Sequence, residues 1–67
     1  MKLINREYNA HQDKYLNTWL ADNATKITTD FHPASAIGSI IIVIETKDIY
    51  IKNTKGQWQK FGTTEVV

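Results

Sequence analysis

Cysteine is absent from this 67-residue chain, so no disulfide and no thiolate metal site can stiffen it. Histidine is scarce too. His11 and His32 are isolated and too few to cage a metal ion. The three glycines, Gly38, Gly56 and Gly62, stand apart from one another, which excludes a glycine-rich phosphate loop. Ser35 and Ser39 lack a nucleophile-elbow context, and the carboxylates sit singly rather than as a catalytic pair. Neither sign of charge dominates: eight basic residues face seven acidic ones, a formal net charge of +1. Lys2, Arg6, Lys14 and Lys26 cancel Glu7, Asp13, Asp22 and Asp30, and no arginine follows Arg6. That balance argues against nucleic acid as the main partner. The run Ile40–Ile44 is too short to cross a bilayer as a helix. Met1-Lys2-Leu3-Ile4 begins like a signal peptide, but Asn5, Arg6 and Glu7 end the apolar run, so a soluble, unsecreted chain is expected. Catalysis, a cofactor and a metal are not expected.

What is present is one sustained apolar stretch, Ile37-Gly38-Ser39-Ile40-Ile41-Ile42-Val43-Ile44-Glu45-Thr46. β-Branched residues lose χ1 freedom in a helix and pack well on a pleated sheet, so this stretch reads as a strand at about 39–45. It does not alternate. Ile40, Ile42 and Ile44 point to one face, Ile41 and Val43 to the other, and both faces need cover. The polar Glu45–Asp48 segment is a turn, and Ile49–Asn53 a second strand. Asn53-Thr54-Lys55-Gly56 has the chemistry of a type I turn closed by a left-handed glycine. Gln57–Phe61 then forms a third strand. Val66 and Val67 are apolar enough to pair with another strand or chain.

Upstream, Tyr8, Leu16, Trp19 and Leu20 fall on one face at helical spacing, and the stretch lacks glycine and proline. A helix is predicted at about 8–22, with Asn23 as its C-terminal cap. Small and polar residues from Asn23 to Ala36 read as a linker pinned by Ile27 and Phe31, with a short strand around Lys26–Thr28 an option. The expected fold is α+β in a single domain over residues 1–67. It comprises a helical anchor segment (1–25), a linker (26–36) and a three-stranded antiparallel meander (37–62; strands at about 39–45, 49–53 and 57–61).

A chain of this size buries only ~60% of its unfolded surface and commonly needs a staple. With disulfides and metals excluded, association is the expected source of added stability. Tyr15, Trp19, Ile40, Ile42, Tyr50 and Trp58 are the candidate interaction residues, aromatics being enriched at interface hot spots. Tyr50 and Trp58, with Lys47, Lys52, Lys55 and Lys60 around them, also have the makings of a base-stacking platform. Solvated strand faces and edge lysines account for the same pattern.

Pro33, Gly38-Ser39, the apolar strand, Glu45-Thr46, Ile49-Tyr50-Ile51-Lys52-Asn53, Gly56, Trp58 and Phe61-Gly62 form a pattern over residues 33–62. It resembles small structural proteins of tailed bacteriophages: capsid-decoration, head-fibre, collar or tail-associated modules. The resemblance implies a non-enzymatic virion protein, assembled in the host cytoplasm with its own copies or with other virion proteins. It implies no cofactor, no membrane and no active site. The alternative is a small regulatory module that binds a host protein or single-stranded nucleic acid.

Overall fold

A computed structural model describes residues 1–29 and 34–67. It contains one five-stranded mixed sheet and one short helix: β1 (Lys2–Asn9), β2 (Lys14–Ala21), α1 (Lys26–Thr29), β3 (Ile40–Val43), β4 (Asp48–Lys52) and β5 (Trp58–Lys60). Spatial order follows chain order. β2 and β3 are parallel, and every other neighbouring pair is antiparallel.

The helix expected at 8–22 and the helical anchor expected at 1–25 are corrected to a β-hairpin. Tyr8 pairs with Tyr15, Glu7 with Leu16 and Lys2 with Leu20. The reversal at Ala10–Asp13 uses no glycine; Asp13 itself takes a left-handed backbone at φ 51°. The Asn9 carboxamide oxygen accepts the Gln12 N–H at 3.0 Å, and the Tyr8 hydroxyl donates to the Asp13 carboxylate. Tyr8 meets Tyr15 edge-on at 5.4 Å, and the Arg6 guanidinium lies 3.5 Å from the Tyr15 ring centre. These cross-strand contacts give the hairpin a local reason to form.

A parallel β2–β3 pair demands a long crossover. Part of the segment read as a linker supplies it, and Lys26–Thr29 is a helical turn rather than a strand. Its Ile27 is buried against Trp19, Ala21, Ile41, Val43, Tyr50 and Trp58, which line one face of the sheet. Phe31, His32 and Pro33 lie outside the described residues. The segments expected as a self-standing meander are therefore the C-terminal part of a larger mixed sheet. Gly56 (φ 76°) closes the β4–β5 turn, where the Asn53 side chain accepts the N–H groups of Lys55 and Gln57.

A buried polar cluster fastens the crossover to β2. Ser35 Oγ accepts from Asn17 Nδ2 at 2.9 Å and from Trp19 Nε1 at 3.1 Å, while Ser39 Oγ accepts the Asn17 N–H at 3.0 Å. The Gln12 side chain adds a two-way link to the Ile37 backbone. At the opposite edge the C-terminal tail lies antiparallel on β5. Val66 bridges Gln59, Lys60 N–H donates to the Glu65 carbonyl at 2.8 Å, and Val67 N–H to the Trp58 carbonyl at 2.9 Å.

Candidate assembly interface

Register decides which side chains share a face. Thr18, Ile40, Ile51 and Gln59 form one row across the sheet, and Leu20, Ile42 and Ile49 the next. Leu16 extends the first column two residues below Thr18 on the same side. All are on the face opposite the core. Leu16, Leu20, Ile40, Ile42 and Ile51 are half-buried, and Ile49 keeps 39% of its surface exposed. Among the described residues no element packs a second layer on this face. Full burial of an exposed aliphatic is worth ~1.5–3 kcal/mol; five of these six are already half-buried, so covering the face would recover a part of that for each.

The six residues proposed from sequence separate cleanly. Ile40 and Ile42 stand on the open face. Tyr15 lies at the hairpin end, exposed and sandwiched between Arg6 and Tyr8. Trp19, Tyr50 and Trp58 are buried in the core, at 5%, 6% and 6% exposure, and offer no surface to a partner. Lys52 instead places its ammonium 5.1 Å from the Trp58 ring, on the covered side. Sequence reasoning passed over Leu16, Leu20, Ile49 and Ile51 as interface residues. The residues of β2 and β4 do not alternate apolar with polar, so only the strand pairing places Leu16 with Leu20 and Ile49 with Ile51 on this face.

β1 forms the other edge, exposed along nearly its whole length. Its ladder slips between Leu3 and Asn5, a bulge that together with Lys2, Arg6 and Glu7 discourages strand-to-strand addition. Two surface clefts flank the open face. One, about 330 Å³, is lined by Met1, Lys2, Leu20, Asp22 and Lys26. The other, about 210 Å³, is lined by Ile51, Asn53, Gln59, Lys60, Phe61 and Gly62. Among the described residues no three His, Cys, Asp or Glu side chains converge as metal ligands, and no helix is long and apolar enough to cross a membrane. Among the described residues one ionisable group is clearly displaced: the hydrogen bond to Asp13 holds the Tyr8 phenol above its ordinary range.

Among the described residues the chain is a single-sheet β protein, with Ile27 of α1 packed on one face and no second layer on the other, apolar one. Comparison with family models, curated proteins and solved structures finds no match to this chain.

Proposed function

We infer that the chain is a non-enzymatic structural protein of a tailed-phage virion, assembling with its own copies or with capsid or tail proteins. The open face of Leu16, Leu20, Ile40, Ile42, Ile49 and Ile51 carries this reading. A chain with little core to spare leaves six aliphatics unsealed, and a protein that functions in an assembly seals them there. The Gly38-Ser39, Glu45-Thr46 and Trp58 pattern supports the virion setting. Base stacking on Tyr50 and Trp58 loses its physical support, since both rings are buried.

Mass spectrometry of purified particles from the phage that encodes the chain tests the proposal. The chain is expected in particles at a fixed stoichiometry, and Ile49→Lys is expected to remove it from them without unfolding it. Absence of the unmodified chain from washed particles refutes the virion role.

A further inference from the structure

The open face carries charge as well as apolar surface, and the charge has a pattern. Lys2 pairs with Leu20 and Glu7 with Leu16, so these two side chains flank the β2 column on the open side. Lys14 follows two residues below Leu16 on the same alternation. Asp22 follows two above Leu20 and lines the same cleft as Lys2 and Leu20. One end of the column therefore holds Lys2 with Asp22, and the other holds Glu7 with Lys14. Thr18 stands midway, in the row it shares with Ile40 and Ile51.

Resting on the assembly reading above, we propose that the occupant of this face is a second copy of the chain, stacked sheet to sheet about a two-fold axis that crosses the strands through Thr18, Ile40 and Ile51. Such an axis exchanges the two ends of β2. It sets Lys2 against Glu7 of the copy and Lys14 against Asp22 of the copy, each pair formed twice. Leu16 meets Leu20, and Ile40 and Ile51 meet themselves near the axis. This is the self-complementarity that a two-fold interface requires. Stacked sheets lie ~10 Å apart, a gap that facing lysine and carboxylate side chains span. The other in-plane axis, along the strands, lays Lys2 and Glu7 over the Ile49, Ile51 and Gln59 side of the copy, where the register of β4 and β5 puts no charged residue on the open face. The molecular outline of 32 × 24 Å is roughly 770 Å², on the scale of the ~800 Å² per partner of a stable interface.

Sedimentation equilibrium of the full chain, of Lys2→Glu, of Glu7→Lys and of the double swap tests the arrangement. All four residues of the charge pattern are on the surface, so the variants keep their fold, as circular dichroism checks. Each single change turns two attractive pairs into repulsive ones and is expected to weaken the dimer by about tenfold or more at low salt. The double swap is expected to return to within about threefold of the original. A monomeric parent chain overturns the proposal, as does a double swap no tighter than the singles. Ile49→Lys separates the two readings. If it abolishes association while the swaps change nothing, the face assembles in another arrangement and only the two-fold is overturned. If it leaves association intact, the face itself is not the contact and both readings fall.

Discussion

Replacing Ser35 with alanine removes one oxygen and leaves the backbone alone, yet it is expected to be among the most damaging small changes in the chain. Ser35 is 3% exposed, and its Oγ accepts two side-chain hydrogen bonds, from Asn17 Nδ2 and Trp19 Nε1. Asn17 is itself 4% exposed, so water cannot replace the lost acceptor. Leaving the buried Asn17 donor without its acceptor costs ~1–3 kcal/mol, and the loss of the Trp19 bond adds ~0.5–1.5 kcal/mol, together about 1.5–4.5 kcal/mol. A chain of this length has a stability of only ~3–10 kcal/mol. With a urea dependence of ~1 kcal/mol per molar for so small a protein, the unfolding midpoint falls by about 1.5–4.5 M. Tryptophan emission reports the transition, because Trp19 and Trp58 are both buried. Protein concentration is held constant, since the proposed association would contribute to apparent stability. Asn17→Ala with and without Ser35→Ala completes a cycle whose coupling energy is expected to exceed ~1 kcal/mol. A Ser35→Ala unfolding free energy within about 0.5 kcal/mol of the parent would show that this cluster does not fasten the crossover to β2.

Two further outcomes follow from backbone geometry and from the hairpin tip. Gly56 (φ 76°) has open space where a Cβ would lie, so Gly56→Ala costs about 1 kcal/mol through backbone conformation alone. Lys47, held at φ 60° in the β3–β4 turn, gains up to about 1 kcal/mol when changed to glycine. Thermal midpoints are expected to move in opposite directions by about 4–8 °C, and a shift of the same sign in both refutes the turn assignments. For Tyr8 the folded pKa is raised, by the hydrogen bond to Asp13 first, then by burial and by Tyr15. Its contribution to stability is therefore complete below the ordinary tyrosine range, ~10, and is lost as pH rises through the higher folded value. Ultraviolet titration should show a late-ionising tyrosine that disappears in Asp13→Asn; an unchanged titration in that variant removes the hydrogen bond as the cause.

The sheet was legible wherever a single local signal sufficed. Three β-branched residues in a row at Ile40–Ile42 announce a strand, and Asn53 with Gly56 announces its turn. The N-terminal hairpin left weaker marks. Its reversal contains neither glycine nor proline, because Asp13 adopts the left-handed conformation usually left to glycine. Its second strand has apolar residues on both faces, so Leu16, Trp19 and Leu20 satisfy helical spacing as well as they satisfy a strand. Asn17, a polar residue on the buried face, interrupts the alternation that would have separated the two. Its reason for being there, Ser35 and Ser39, lies some twenty residues away in the chain. The candidate interface residues divide along the same line. Aromatic character marked Trp19, Tyr50 and Trp58 as hot-spot candidates, but the face on which the crossover came to rest buried all three.

From the sequence alone came the expectation of association: no disulfide, no metal cage, a short chain, and a central strand apolar on both sides. Hydrophobic burial is non-directional, so composition states how much apolar surface must be covered and leaves open which side is covered from within. The parallel pairing of Thr18–Ala21 with Ile40–Val43 decided that. It laid α1 and its Ile27 over Trp19, Ile41 and Tyr50, and left Leu20, Ile42 and Ile49 facing outward. It also set Lys2 and Glu7 on the outward side, at opposite ends of one strand. A long-range register is a property of contacts between distant segments, which no local pattern of residues contains.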